Sequence, residues 1–241
     1  MAVHSAKDLP TQLLPSLKIG AILERDEVRD AWLAPSHTPF SKLPQGSRVG
    51  TSSPRRKAQI LRQRPDLQIV EMRGNVPTRV DKMKKGLVDG LILAACGLIR
   101  LGLEKEITEV LDKAVMLPAV SQGAIAVEIK KDNTLAEDLV RTLNHEGDFL
   151  RVEAERSLLR SLEGGCQVPI GVFSDLKDDI LTLEAQLFSL DGARNVSGEI
   201  RGNKKDAQKL GQELANKIKR GGGSEMLAEI RKAKPTTIPS H

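Results

Sequence analysis

The sequence predicts an α/β fold followed by a small α+β domain. Between residues 48 and 101, apolar strands alternate with helices, which is typical of a parallel sheet with right-handed crossovers. After residue 168 the pattern changes to short strands, one of which alternates apolar and polar residues, followed by an amphipathic helix. With 241 residues, the chain can form one large domain or two to three small ones around a sizeable core.

The first half of the chain contains five predicted strands. We expect these strands at residues 1–5, 19–23, 48–51, 67–72 and 91–95. Helices are predicted at 54–63 and 77–85, with a helical turn at 98–101. Pro54 and Pro77 suit the first turn of a helix, where a missing N–H costs no hydrogen bond.

The second half begins with a predicted strand at 124–129 and a helix at 135–143, for which Thr134 and Glu137 form a capping box. A helix at 148–162 should end at Gly164-Gly165. The α+β pattern then comprises strands at 169–173, 181–190 and 196–200, a hairpin turn at Asp191-Gly192, a helix that ends at 221–223, and a loose tail after 232.

Composition excludes several classes of protein. The net charge of +5 suits anionic ligands as well as nucleic acid, but one Trp, no Tyr and four Phe provide few rings for stacking on single strands. Two cysteines form no disulfide framework, and no metal-ligand spacing occurs. No apolar run approaches membrane-spanning length and no signal peptide is recognisable, so a cytoplasmic location is expected.

A segment rich in hydroxyl groups and arginine marks the start of the helix predicted at 54–63. The polar residues of this segment are Thr51, Ser52, Ser53, Arg55 and Arg56. A helix N-terminus offers unpaired N–H groups and a positive dipole, and arginines add forked donors for carboxylates or phosphates. The alternative interpretation is a simple Ser cap beside a solvated arginine pair.

Further arginines follow the next two strands. Arg73 and Arg79 surround the next strand-to-helix turn, and Arg100 follows the third strand. A cation near a helix N-terminus opposes the dipole, and ligands of open α/β sheets bind beyond the carboxyl ends of the strands. The pattern predicts an arginine-lined rim that binds a ligand carrying several carboxylates or phosphates.

Three other residues are candidates for chemistry. Cys166 follows two glycines in an open loop, where a thiol is accessible for covalent chemistry; the alternative is an incidental loop cysteine. Cys96 lies within an apolar run and is predicted to be a core residue. Lys7 and Asp8 stand side by side after the first strand, either as a surface ion pair or with Asp8 as a lone carboxylate that stabilises positive charge among cations.

Five segments in this order resemble one family closely. They are HSAKDLP, VGTSSPRRKAQI, MRGNVPTRVDKMKKGLVDGLILAACGLIRLGL, LPAVSQGAIAVE and ERSLLRSLEGGCQVPIG. They are similar to the porphobilinogen deaminase (hydroxymethylbilane synthase) family from residue 1 to about 171, and more weakly to the end. The resemblance implies two periplasmic-binding-protein-like domains and a small α+β domain. These domains would comprise residues 1–24 with 120–144, 25–119, and 145–241.

The resemblance also implies a function. Members of the family condense four porphobilinogen molecules into hydroxymethylbilane, releasing ammonia, on a dipyrromethane cofactor that a cysteine thioether holds. By this match Cys166 would carry the cofactor, and Asp8 would contact the pyrrole nitrogens and stabilise the positive charge that develops. Arg73, Arg79 and Arg100 would handle the incoming substrate and the growing oligopyrrole chain. The residues implied to line the cofactor are Lys7, Asp8, Thr51, Ser52, Ser53, Arg55, Arg56, Arg79 and Gln122.

The chain departs from the family pattern in three ways. The family has several tens of residues before HSAKDLP, so the first domain is expected to be incomplete here. Pro54 stands where the family usually has Leu, and Ser121 where it usually has Gly. The leading hypothesis is an active, monomeric transferase. The alternatives are a non-catalytic, anion-binding relic with an impaired first domain, and a nucleic-acid-binding protein.

Overall fold

The computed structural model describes residues 1–162 and 168–233, which form three separate sheets. The first sheet has the order β1-β8-β2, and both pairings are antiparallel. Its strands are β1 (Ala2–Ser5), β2 (Leu17–Ile22) and β8 (Ile125–Lys130). A 3₁₀ turn at Ala6–Asp8 follows β1 directly, so Lys7 and Asp8 project from the end of this sheet.

The second sheet has five strands in the order β5-β4-β6-β3-β7. Its strands are β3 (Asp30–Leu33), β4 (Arg48–Gly50), β5 (Gln68–Val70), β6 (Gly90–Ala94) and β7 (Glu109–Val110). The helices attached to it are α1 (Pro54–Gln63), α2 (Val76–Lys84) and α3 (Ala95–Ile99). The turn predicted at 98–101 therefore lies earlier in the chain, as α3.

The prediction of a parallel sheet is correct only for part of this second sheet. β4 pairs in parallel with β5 and β6, whereas β3 pairs antiparallel with β6 and β7. β3 and β7, which the sequence analysis missed, each lie beside a segment that connects the first and second sheets. The direction of a strand depends on where its connection enters the sheet, which local periodicity does not encode.

The third sheet is an antiparallel meander in the order β11-β10-β9. Its strands are β9 (Ile170–Lys177), β10 (Ile180–Phe188) and β11 (Asn195–Asn203). Buried and half-buried residues alternate along β10, and Gly192 has a left-handed φ of 75° in the turn before β11, as the pattern predicted. The predicted α/β fold class with a separate C-terminal α+β unit is confirmed, while the exact domain boundaries stay a prediction.

Four helices complete the fold. They are α4 (Thr134–Arg141), α5 (Glu146–Ser161), α6 (Ala207–Ile218) and α7 (Ser224–Lys232). The predicted capping box of α4 is wrong, because the Asn133 side chain accepts from Ala136 N at 2.9 Å and Glu137 instead pairs with Lys18. Gly222, with φ of 104°, separates α6 from α7, a helix that the sequence analysis missed. The stop predicted at Gly164-Gly165 lies outside the described residues.

A buried ion pair on α5 ties the three sheets together. Glu155 is fully buried and accepts two hydrogen bonds from Arg25, which lies between β2 and β3, at 2.6 and 3.1 Å. It also accepts from Ser174 on β9 and from Ser121 N, which precedes β8, at 2.5 and 2.6 Å. Burial raises the pKa of Glu155, but the Arg25 charge and these hydrogen bonds hold it below its usual range.

Glu155→Gln is expected to destabilise the protein by about 3 kcal/mol, because it leaves the Arg25 guanidinium buried without a counter-charge. Denaturant unfolding at neutral pH measures the loss. The depressed pKa gives a second signature: its contribution is present above about pH 4.5 and is lost as the pH falls through the folded value. The Gln variant should lack this acid-dependent part, and unchanged stability at pH 7 would contradict the prediction.

Ser121 has an unfavourable backbone conformation beside this ion pair. Its φ is +61°, its side chain is fully buried, and its Oγ has no hydrogen-bond partner within the described part of the chain. A left-handed φ costs a residue with a Cβ more than it costs glycine, and a buried hydroxyl without a partner adds to that cost.

Ser121→Gly is therefore expected to stabilise the protein by about 1 kcal/mol, the net of relieved strain and the greater entropy that glycine has in the unfolded chain. Thermal unfolding should show a midpoint about 2–4 °C higher. Ser121→Ala, which removes the hydroxyl and keeps the Cβ, is the matched control and should gain less. A Gly variant no more stable than wild type would show that this backbone is not strained.

Candidate functional site

A cavity of about 290 Å³ lies where the ends of all three sheets meet. The polar lining residues, here called the polar wall, come from the turn after β1, the N-terminus of α1 and the segment before β8; they are Lys7, Asp8, Ser52, Ser53, Arg55, Arg56 and Gln122. The apolar lining residues, here called the apolar wall, are Val120, Leu159, Val168 and Ile170. The cavity thus combines anion-binding donors with an apolar surface, and the sequence analysis had singled out every residue of the polar list.

Lys7 and Asp8 are held at the cavity by backbone contacts of their neighbours. Ala6 is buried and its N–H donates to Ala124 O at 3.0 Å, while Arg156 donates to Ala6 O and, at 2.5 Å, to Pro10 O. Within residues 1–162 and 168–233, the charged groups of Lys7 and Asp8 form no hydrogen bond or ion pair. Both groups therefore stay available to a ligand.

The Lys7 ammonium lies in a mixed electrostatic environment. Burial and the nearby Arg56 charge lower its pKa, whereas Cys96, Asp8 and Asp30 raise it, and the net result is a pKa below the usual range for lysine. An anionic ligand beside Lys7 would favour the protonated ammonium and oppose this shift. Cys96 itself is buried, as predicted for a core residue.

The start of α1 has a serine N-cap and also lines the cavity, so it shares features of the capping and the anion-binding interpretations. Ser53 is the N-cap, and its hydroxyl accepts from Arg56 N at 3.4 Å, as the capping interpretation predicts. Ser52 donates to Met72 O at 2.7 Å, and the buried Thr51 accepts from Ser53 N at 3.2 Å. Thr51 lines a neighbouring cavity that shares Ser52 and Ser53 with the first, so it supports the turn without reaching the polar wall.

Arg55 and Arg56 are buried, which the idea of a solvated arginine pair did not anticipate. Both donate to one carboxylate, Asp30 on β3, at 2.6 and 2.7 Å. Burial raises the pKa of Asp30, but the two guanidinium charges and their hydrogen bonds hold it well below its usual range. Asp30 was missed by the sequence analysis; the only signal was the need of two buried arginines for a buried counter-charge.

Two buried polar atoms of the cavity wall have no hydrogen-bond partner in the part of the chain that the structure describes. Arg55 Nε and Gln122 Oε1 lack hydrogen bonds among the described residues, although the Gln122 amide donates to Val28 O at 2.7 Å and to Asp30 Oδ1 at 3.0 Å. Buried donors and acceptors in proteins are normally paired, so these two atoms are positions that a ligand or an ordered water would satisfy. The free atoms are one cationic donor and one acceptor.

The remaining arginines of the predicted rim lie outside this cavity. Arg73 is largely exposed and pairs with Glu71, while Arg100 contacts Asp26 at 2.5 Å and Gly123 O at 2.8 Å. Arg79 is half-buried in the first turn of α2, donates to Gly74 O, and has a pKa lowered by burial and by the Arg56 charge. Cys166 lies outside the described residues; Val168, two positions later in the sequence, lines the apolar wall.

Family comparisons match most of the chain. Residues 1–138 match a family model described as "Porphobilinogen deaminase, dipyromethane cofactor binding domain", and residues 149–220 match "Porphobilinogen deaminase, C-terminal domain". Within the described residues, no helix has the length and apolar character needed to cross a bilayer.

Individual proteins are similar over nearly the whole chain. The porphobilinogen deaminase of Carboxydothermus hydrogenoformans is 48% identical over 232 residues, covering 96% of this chain and 75% of the relative. The enzyme of the same name from Thermus thermophilus is 45% identical, covering 96% and 77%. Among solved structures, a periplasmic sulfonate-binding protein from Methylobacillus flagellatus aligns over 62% of this chain and 44% of its own, with 15% identity and a TM-score of 0.31.

Proposed function

The chain belongs to the porphobilinogen deaminase family, and on that premise we propose that it condenses four porphobilinogen molecules into the linear tetrapyrrole hydroxymethylbilane with release of ammonia. The observation that carries the proposal is the composition of the cavity. Lys7, Arg55 and the start of α1 supply donors for carboxylates, and Asp8 supplies one uncommitted carboxylate in the same space. Porphobilinogen requires this combination, because it is an anionic pyrrole that becomes electron-poor when ammonia leaves.

The residues of the cavity fit the dipyrromethane cofactor of the matched family model. The orphaned Arg55 Nε can donate to a carboxylate, and the orphaned Gln122 Oε1 can accept from a polar hydrogen. The apolar wall suits the faces of pyrrole rings. We propose that Cys166 holds this group through a thioether. When bound, dipyrromethane supplies the pyrrole carbon to which porphobilinogen units are added.

The protein's own residues would then have two roles, binding of carboxylates and stabilisation of positive charge. Lys7 and the donors at the start of α1 bind and orient carboxylates, each such charged hydrogen bond being worth about 1.5–3 kcal/mol. Asp8 faces the space between them and stabilises the positive charge that develops on the aminomethyl carbon of porphobilinogen as ammonia departs.

The arginines outside the cavity have a separate proposed task. Arg73 lies between β5 and α2, Arg79 lies in the first turn of α2, and Arg100 is the C-cap of α3; none of them lines the polar wall. Each added pyrrole unit brings two more carboxylates, so a lengthening product needs cations beyond the first cavity. We propose that these three arginines bind the incoming substrate and the carboxylates of later units.

The test is the intact mass of the purified protein, together with product formation from porphobilinogen. The proposal predicts an added mass equal to two porphobilinogen-derived units, a colour reaction with an aldehyde reagent for pyrroles, and formation of hydroxymethylbilane. A bare thiol and no product would instead favour the non-catalytic, anion-binding alternative. A monomeric state and a cytoplasmic location stay expectations, which size-exclusion chromatography with light scattering and cell fractionation would test.

A further inference from the structure

A second cavity, of about 350 Å³, is bounded by the segment that joins β1 to β2, by β2 itself and by α5. None of its lining residues lines the first cavity. A group that fills the first cavity therefore leaves the second one open. Ligand cavities of proteins have volumes of about 300–1,000 Å³, so the second cavity can hold a small organic molecule.

Apolar side chains form one part of the second cavity. Ile22 and Val152 are buried, while Ile19 and Phe149 are half-buried. The other apolar lining residues are Leu13, Leu14, Pro15 and Leu17. An apolar chain or ring of a ligand would be removed from water by contact with this surface, which favours binding.

Cationic side chains form the other part. The charged lining residues are the cations Lys18, Lys131, Arg156 and Arg160 and the carboxylate Glu153. Lys18 pairs with Glu137 at 2.8 Å, whereas the charged groups of Lys131 and Arg160 form no hydrogen bond or ion pair with any residue that the structure describes. Uncommitted cations beside an apolar surface complement a molecule that has both a carboxylate and an apolar body.

Arg156 connects the second cavity to the turn that carries Lys7 and Asp8. Arg156 is buried, and it donates to Ala6 O and, at 2.5 Å, to Pro10 O, which lie on either side of these two residues in the chain. An anion in the cavity would compete with the two carbonyl oxygens for the guanidinium, because a charged acceptor forms the stronger hydrogen bond. The turn would then lose part of its support.

We propose that the second cavity is a separate ligand site, which binds an amphiphilic carboxylate, and that its occupation lowers turnover by loosening the turn that carries Asp8. The ligand class is a soluble molecule with an apolar chain or ring and one carboxylate. The binding part is independent of the proposed function. The effect on turnover rests on that function, because it is measured with porphobilinogen.

Isothermal titration calorimetry with octanoate, on the purified protein as it is isolated, tests the site. Octanoate should bind saturably with one molecule per chain. The matched ligand 1-octanol has the same chain without the charge, and it should bind about tenfold more weakly or worse, because it lacks the charged hydrogen bonds. Absence of saturable octanoate binding, or equal affinities for the two ligands, would overturn the proposal.

Arg160→Gln tests where octanoate binds. The variant should bind octanoate about tenfold more weakly and 1-octanol as wild type does, because it loses one cation of the second cavity. Arg141→Gln is the matched control, since Arg141 is exposed on α4 and does not line the cavity. It should bind octanoate with wild-type affinity.

Leu14→Asp covers the case that Arg160→Gln does not fold. Leu14 is 67% exposed, so aspartate should be tolerated there, and its charge at the cavity should weaken octanoate binding by about fivefold. Leu135→Asp, at a position 70% exposed and outside the cavity lining, should have no effect. Wild-type octanoate affinity in whichever of Arg160→Gln and Leu14→Asp folds would place the binding elsewhere and overturn the proposal.

Turnover tests the link to Asp8. Saturating octanoate should lower kcat for porphobilinogen by about fivefold as the turn loosens, without the rise in KM that competition with substrate would cause. Arg160→Gln should need about tenfold more octanoate for the same effect. Binding with no change in kcat would overturn the link. If the proposed function itself failed, no product would form with or without octanoate, whereas the calorimetric results would be unaffected.

Discussion

Asp8→Asn is expected to lower the rate of hydroxymethylbilane formation by about a thousandfold, which corresponds to about 4 kcal/mol of transition-state stabilisation. Asp8 is the carboxylate of the cavity lining that has no hydrogen bond or ion pair in the described part of the chain. The other carboxylate in contact with this wall, Asp30, already accepts four hydrogen bonds from three side chains, those of Arg55, Arg56 and Gln122. An amide at position 8 would keep the size of the side chain and lose its charge, so developing positive charge would have no counter-charge in the cavity.

The fold of this variant should be unaffected. The turn that carries Asp8 is held through Ala6 N, Ala6 O and Pro10 O, and none of these contacts involves the Asp8 side chain. Thermal unfolding should therefore give the wild-type midpoint, while a coupled assay of tetrapyrrole formation records the loss of turnover. KM for porphobilinogen should change much less than kcat, because the donors that grip carboxylates remain.

Asp132→Asn is the matched control for this prediction. Asp132 is exposed in the turn after β8, a strand of the same sheet as β1, and does not line the cavity. It should keep wild-type activity. If Asp8→Asn forms product at the rate of Asp132→Asn, the proposed electrostatic role of Asp8 is wrong, and another group must stabilise the charge.

Local sequence patterns predicted the elements that position the site. α1 occupies residues 54–63 as predicted, because Pro54 at its first turn and the Ser53 cap specify its start without help from the rest of the chain. Lys7, Asp8, Ser52 and Ser53 were likewise singled out because each stands at the end of a strand or the start of a helix. Positions of this kind are set by short-range rules, and strand ends then converge when the sheets pack.

What the sequence could not show is how the charges pair. A run of two arginines is compatible with a solvated face, a ligand site or a buried ion pair, and only tertiary packing selects the last. Asp30 is separated from Arg55 by 25 residues and is one of 32 acidic residues, so nothing local marks it as their partner. The four-residue β3 that carries it was missed as well, because its antiparallel pairing with β6 and β7 is set by tertiary packing and not by local periodicity.

Cys166→Ser is expected to abolish the covalent adduct and, with it, product formation. In the proposed mechanism a thioether retains the lengthening oligopyrrole through successive additions. Loss of the sulfur therefore removes the covalent attachment completely. A serine hydroxyl has a far higher pKa than a thiol and is a poorer nucleophile at neutral pH, so it does not substitute. Intact-protein mass spectrometry should show the mass of the bare polypeptide.

Cys96→Ala provides the control that makes this loss specific, because the chain has only these two cysteines. Cys96 is buried at the start of α3 and packs as a small apolar residue, so alanine should preserve both the fold and the adduct. An adduct that survives in the Ser variant and disappears in the Ala variant would move the attachment to Cys96. An adduct retained by both variants would show that neither sulfur carries it, and the anchoring role would have to pass to a nitrogen, for which the half-buried Lys7 in the same cavity is the first candidate.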